Sequence, residues 1–305
     1  MGPSDRDHMV QQFGPKNLKL SDFHRSLSQI TVIITIYWTD AKMPGEGRSM
    51  WNDAVGYETY VGHWSRAVAP RFLAWLALPI RLRWLDVACG TGVLTSAILA
   101  RCDPEEVVGL DASADYLAFA QESCREPRVR FVLGDANVLS FPTKSVDVSV
   151  SGLALNFIAF DRALAEQHRL VRPGGTIAAY VWDYAGEYEF ARRFWDAALS
   201  IDPRAAAFDP GRKAAICREQ NLREALIAAG CTGVETCIFD DTGEFPSREA
   251  YWHAFDGRQG STFDYLSLLT DEQRLRLRAS LLSTMNPHGP VKLKIRALAV
   301  KGVRK

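Results

Sequence analysis

A chain of 305 residues has room for one large domain or two small ones with a sizeable core. Its 36 Lys and Arg balance 36 Asp and Glu, so no net positive field recruits nucleic acid or an acidic membrane surface. The composition, 47% hydrophobic and 24% charged, is that of a globular fold, and the six cysteines form no C-x-x-C pair, which reads as reduced structural thiols in a cytoplasmic setting.

Residues 1–47 read as an N-terminal extension, either an added strand or a poorly ordered segment. The apolar run Ile30 to Trp38 is too short to span a bilayer and is interrupted by threonines. No basic start region precedes it and no small-residue cleavage site follows, which argues against a signal peptide. Met43-Pro44-Gly45-Glu46-Gly47 reads as a linker into a domain over 48–305.

Residues 50–78 are helical in pattern and rich in aromatics, and Pro70 predicts a division into two helices. Tyr57, Tyr60 and Trp64, spaced three and four apart beside Gly56 and Gly62, fit either a buried face or a lid over a ligand. Leu82 to Ala88 reads as a first strand and Val93 to Arg101 as a helix, with Cys89-Gly90-Thr91-Gly92 as the tight turn between them. Glycines there allow close backbone approach, and a helix start offers free N–H groups, so a nucleotide-like ligand is the natural occupant.

A second strand, Glu106 to Leu110, ends in Asp111, nineteen residues after Gly92, where a carboxylate accepts from both hydroxyls of a ribose. Ser113 suits the N-cap of the next helix and leaves Asp111 free for the ligand. A third strand ends at Gly134-Asp135-Ala136, placing Asp135 to accept from an exocyclic amine. A fourth runs over Ser145 to Ser151, followed by Gly152, and a fifth over Thr176 to Trp182. This alternation predicts a doubly wound α/β fold with its ligand at the carboxyl edge of a mostly parallel sheet. Gly233 to Asp240 and Val291 to Val300 read as late strands, with a helical insertion over 247–286 between them.

Four motifs in order carry a family resemblance: Leu85-Asp86-Val87-Ala88-Cys89-Gly90-Thr91-Gly92, Gly109-Leu110-Asp111-Ala112-Ser113, Gly134-Asp135-Ala136 and Val171-Arg172-Pro173-Gly174-Gly175. From Trp51 to Val303 the chain resembles the class I S-adenosylmethionine-dependent methyltransferases, most nearly the small-molecule type of ubiquinone and menaquinone biosynthesis. The resemblance implies a seven-stranded Rossmann-like sheet with an antiparallel last strand and S-adenosyl-L-methionine as cofactor, released as S-adenosyl-L-homocysteine. It places the methionine portion at Asp86, Ala88, Gly90 and Gly92, the ribose at Asp111 with Ala112 and Ser113, and adenine at Asp135 and Ala136. Ser151 and Gly152 lie under the methionine part. Ala88 departs from the pattern, standing where the family often has glycine.

The turn departs further from a dinucleotide-binding dehydrogenase. Thr95 stands where a third glycine is expected, and Asp86 would face a diphosphate with the wrong sign. Asp183 and Tyr184, at the mouth of the fifth strand, are the candidates for acceptor-side chemistry, with loop capping as the competing role. His63 and His253 lie in the aromatic segments, and His168 reads as structural. No His/Cys/carboxylate cluster has metal-ligand spacing. The expected activity is methyl transfer to a small-molecule O, N or C nucleophile. A cofactor-binding module without turnover and an NAD-dependent oxidoreductase are the alternatives, and residues 50–78 with the 247–286 insertion form the expected substrate cap.

Overall fold

A computed structural model describes residues 63–256 and 260–305. The chain divides between Arg48 and Ser49, and everything described belongs to the second unit. The expected N-terminal extension, the helix over residues 50–62, and Tyr57 and Tyr60 lie outside the described residues.

Seven strands, β1 (Arg83–Val87), β2 (Glu106–Asp111), β3 (Val129–Leu133), β4 (Val146–Gly152), β5 (Val171–Trp182), β6 (Cys231–Phe245) and β7 (Val291–Arg304), form one sheet in the order β3-β2-β1-β4-β5-β7-β6. The first five pair in parallel, and β7 runs antiparallel between β5 and β6. Strand order reverses between β1 and β4, which is where an open α/β sheet leaves a crevice at its carboxyl edge.

Side chains alternate across the sheet, so each face receives its own core. Trp84, Val148, Val150, Tyr180 and Trp182 pack on one face, against α1 (His63–Leu76), α2 (Val93–Cys102), α5 (Glu189–Ile201) and the helices between β6 and β7. Leu85, Val87, Ile177, Ala179 and Val181 pack on the other, against α4 (Phe160–Leu170) and α6 (Glu219–Ala228). The helix after β2, α3 (Ala114–Ser123), begins with the Ser113 hydroxyl accepting from Tyr116 N at 3.3 Å.

Two elements differ from the sequence expectation. Helix α1 runs through Pro70 unbroken. Proline there forfeits a bond to the Arg66 carbonyl at a cost of about 3 kcal/mol, whereas burying side chains such as Val68, Phe72 and Leu76 contributes about 1.5–3 kcal/mol each. Strand β6 continues past Asp240 through Asp241-Thr242-Gly243, a stretch of turn-forming residues, because β7 supplies matching charge: Arg296 binds Asp240 at 2.7 Å and Lys292 approaches Glu244 at 4.0 Å. The insertion holds α7 (Arg248–His253), α8 (Gly260–Ser267) and α9 (Asp271–Ser283), and the last is opened by a Thr270–Gln273 capping box. Among the described residues no helix is long and apolar enough to cross a membrane.

Candidate functional site

A cavity of about 220 Å³ opens at the carboxyl edge of β1, β2 and β4. Its first side is made by the turn after β1. Ala88, Gly90 and Gly92 all have positive φ, at 56°, 54° and 82°, which folds the chain tightly between strand and helix. A Cβ added at Gly90 would meet nothing nearer than Tyr116 Cδ2 at 3.7 Å, so the backbone there stands open to a ligand. Asp111 braces this turn: its Oδ2 accepts from Gly90 N and its Oδ1 from Ser113 N, each at 2.8 Å.

Three carboxylates, Asp86, Asp111 and Asp135, line this cavity, and no described lining residue is Lys, Arg or His. Asp86 is only 1% exposed. Its Oδ2 accepts from the Thr95 hydroxyl at 2.7 Å, while its Oδ1 is buried without a hydrogen-bond partner. Burial pushes its pKa up to about 7, against the pull of the Thr95 bond, and the Asp111 charge adds to the rise. Burial also raises Asp111, opposed by the N–H groups of Ser113 and Gly90. Cys89 is held as a thiol, well above its ordinary range, by burial and by the charges of Asp86 and Asp111. A buried acidic wall of this kind favours a cationic occupant.

The far side is aromatic. Trp182 and Tyr188 stack with centroids 4.8 Å apart, Tyr184 meets Tyr188 edge-on at 5.2 Å, and Phe157 meets Tyr184 at 6.2 Å. Tyr180 comes close beneath Gly152, where a Cβ would lie 2.7 Å from its hydroxyl. Tyr184 is fixed through its carbonyl, which accepts from Arg192 Nη1 at 2.9 Å, and the same guanidinium binds the fully buried Asp209 at 2.7 Å. Trp195 of α5 and Gly260, Ser261 and Thr262 at the start of α8 complete the lining.

Residues 85–175 match the family described as Methyltransferase domain. Over that stretch the chain resembles a methyltransferase domain. It is 38% identical over 107 residues to 2-phytyl-1,4-naphtoquinone methyltransferase of Thermosynechococcus vestitus, covering 34% of this chain and 48% of that one. It is also 38% identical over 98 residues to demethylmenaquinone methyltransferase of Thermus thermophilus, covering 31% and 44%. The alignment thus spans just under half the length of these relatives. The crystal structure of the YcgJ protein from Bacillus subtilis superposes with a TM-score of 0.52 at 19% identity, covering 80% of this chain and 99% of that one, a likeness of fold.

Of the residues singled out in the sequence, Asp86, Ala88, Gly90, Asp111, Ala112, Asp135, Ala136, Gly152 and Tyr184 line the cavity. Five further residues from the sequence reading are not in the lining. Gly92 caps α2, and a Cβ there would meet Ala120 Cβ at 3.2 Å. Ser113 caps α3, and Ser151 is buried within β4. Trp64 is a core residue edge-on to Phe190 at 5.1 Å and to Tyr188 at 6.3 Å, so it backs the aromatic wall instead of facing the cavity. Asp183 takes the capping role: its Oδ2 accepts from Glu187 N at 2.8 Å.

His253 is exposed and hydrogen-bonds Asp256 at 2.8 Å, and His168 is half-buried beside Gly230; neither lines the cavity. The bond from Thr95 to Asp86 and the place of Trp195 escaped the sequence reading, while Gly260–Thr262 fall within the 247–286 insertion expected to cap the substrate. Thr95 was legible one helical turn past the glycine turn, on the α2 face toward Asp86. The others reach the cavity only through the packing of α5 against the insertion. Among the described residues no cluster of His, Cys, Asp and Glu fits a metal ion.

Proposed function

We propose that this protein is an S-adenosyl-L-methionine-dependent methyltransferase acting on a small, partly apolar acceptor. The observation that carries the reading is one cavity with an acidic glycine turn on one side and an aromatic chamber on the other, so that a cationic cofactor and an apolar acceptor meet within it. The residues fit the cofactor: the unpaired Asp86 Oδ1 suits its cationic amino-acid part, the open backbone at Gly90 admits it, and Asp111 retains lone pairs for a diol. The names of the relatives, a naphthoquinone and a demethylmenaquinone methyltransferase, support a planar acceptor against Tyr184 and Tyr188.

When bound, the cofactor supplies a methyl group already activated on a positively charged sulfur. The protein's part is alignment and exclusion of water, which contributes on the order of 7–11 kcal/mol at best. Asp111 holds the turn, the Thr95 hydroxyl orients Asp86, and the Arg192–Asp209 pair fixes the aromatic wall at Tyr184.

Calorimetric titration with S-adenosyl-L-homocysteine and, separately, with NAD tests the reading. Binding of the sulfur ligand is expected, and binding of NAD alone would assign the site to an oxidoreductase. A mass-shift search for methylated products in a metabolite extract distinguishes turnover from a binding module.

A further inference from the structure

Asp135 and Ala136 reach the cavity from residues 134–145, a connection between β3 and β4 that is neither strand nor helix. Such a stretch has no ladder of its own, so its backbone groups need partners elsewhere. It starts as a tight turn: Asp135 Oδ1 accepts from Asn137 N and Asn137 Nδ2, each at 2.8 Å, and Asp135 O accepts from Val138 N at 3.1 Å. Oδ2 is thereby the Asp135 oxygen turned over to a ligand. The turn fixes this carboxylate relative to Val138, but Val138 is 69% exposed and anchors nothing.

The anchor is the next residue. Glu166 and Arg169, three apart on α4, form a two-bond ion pair, with Arg169 Nε donating to Glu166 Oε1 at 2.8 Å and Arg169 Nη2 to Glu166 Oε2 at 2.7 Å. The pair engages both backbone groups of Leu139: Glu166 Oε2 accepts from Leu139 N at 2.8 Å, and Arg169 Nη2 donates to Leu139 O at 2.6 Å. Arg169 Nη1 adds a bond to Phe141 O at 2.9 Å. The Leu139 side chain is buried in the same core as α4. The Arg169 guanidinium beside Glu166 holds its carboxyl below the usual range, so both partners are charged at neutral pH and their bonds to the connection are charge-assisted. A surface ion pair contributes little to stability by itself. This one grips a single residue, four along from Asp135, by its N–H and its carbonyl, and so sets how far the Asp135 carboxylate reaches into the cavity.

We propose that Glu166 and Arg169 are positioning residues for the adenine end of the cofactor: by clamping Leu139 they hold Asp135 where it accepts from the exocyclic amine. This rests on the S-adenosyl-L-methionine reading above. The geometry calls for arginine, because only its planar fork serves Glu166, Leu139 O and Phe141 O together.

The test compares S-adenosyl-L-homocysteine with S-inosyl-L-homocysteine, in which an oxygen replaces the exocyclic amine, by calorimetry on the full-length protein. The parent protein is expected to prefer the adenosyl ligand about 10- to 100-fold, the range for a hydrogen bond to a charged group. Glu166→Gln sets an amide donor against either Leu139 N or Arg169, and Arg169→Lys keeps the charge without the fork. Each should cut the preference at least about 3-fold, with thermal unfolding confirming a folded chain. Should Glu166→Gln not fold, Arg169→Lys decides. Asp135→Asn should abolish the preference, and adding Glu166→Gln to it should change the ratio no further. A brace for the fold alone would weaken both ligands by the same factor. That result, variants that keep the parent preference, a ratio that falls further in the double variant, or a parent protein that binds both ligands alike would each overturn the proposal. Failure of the parent protein to bind S-adenosyl-L-homocysteine would instead overturn the cofactor reading beneath it.

Discussion

The Asp111 carboxylate and the Gly90 amide are joined by a 2.8 Å hydrogen bond across the mouth of β1 and β2, so the acid expected to grip a ribose also sets the turn that faces the rest of the cofactor. The two duties are compatible because each carboxylate oxygen has a second lone pair. Their coupling means that changing Asp111 disturbs both halves of the site together.

Asp111→Asn is therefore expected to weaken S-adenosyl-L-homocysteine well beyond the loss of ribose contacts. An amide at this position accepts from only one of Gly90 N and Ser113 N and turns its NH₂ toward the other. Losing one charge-assisted bond and gaining a donor–donor conflict amounts to roughly 2–4 kcal/mol, or about 30- to 1,000-fold in affinity. Calorimetry measures this, and affinity unchanged from the parent protein would exclude the ribose role.

Asp86 makes stability depend on pH in an unusual direction. Its pKa is raised from 3.8 to about 7 in the folded protein, so between these values the folded state holds a proton that the unfolded state has lost. Folding stability contributed by this group is complete below about pH 4 and declines as pH rises to about 7. The full swing is on the order of 4 kcal/mol. Asp86→Asn removes it, so urea unfolding at pH 5 and pH 8 should show the variant gaining on the parent protein as pH rises. A constant gap between the two would contradict the assignment. Binding of a cationic ligand reverses the penalty, and the affinity of the ligated form should increase over the same window.

The carboxyl edge of the sheet was legible because Asp86 and Asp111 lie at the carboxyl ends of β1 and β2 while Gly90 and Asp135 come shortly after β1 and β3, and a strand end together with the turn after it is a local pattern. The acceptor end was not. Trp195 lies in an amphipathic helix where an aromatic residue is ordinarily core, and only the packing of α5 against α8 leaves its N–H unpaired at the cavity. Pro70 and the extension of β6 misled for a related reason. Local propensity argued for a break, while partners distant in sequence, the sheet core beneath α1 and the basic residues of β7, overrode it.

Ala88 offers a test of strain in the turn. Its φ of 56° lies in the left-handed region, which costs a residue bearing a Cβ roughly 1–2 kcal/mol. Glycine removes that cost and adds about 0.5–1 kcal/mol of unfolded-state entropy. Ala88→Gly should accordingly be neutral or stabilising by up to about 1 kcal/mol, with no loss of S-adenosyl-L-homocysteine binding. A clear fall in the denaturant midpoint would show that the Ala88 methyl contributes packing worth more than its strain.

Asp183 and Tyr184 are neighbours in sequence with different surroundings, and separate substitutions distinguish turn from chemistry. Asp183 is outside the cavity lining, and burial raises its carboxyl while the Glu187 N–H draws it back down. Removing that acceptor with Asp183→Ala leaves the Glu187 N–H unpaired at a cost of about 1–3 kcal/mol, which should appear as lowered thermal stability. Tyr184 lines the cavity and touches Phe157 and Tyr188 by its ring, so Tyr184→Phe keeps the wall and removes only the hydroxyl. If that hydroxyl touches the acceptor, Tyr184→Phe lowers turnover while leaving stability and S-adenosyl-L-homocysteine affinity near those of the parent protein. If the ring alone matters, Tyr184→Phe is silent and Tyr184→Ala raises KM for the acceptor. A variant of Asp183 that keeps full stability yet loses turnover would return that carboxylate to the reaction.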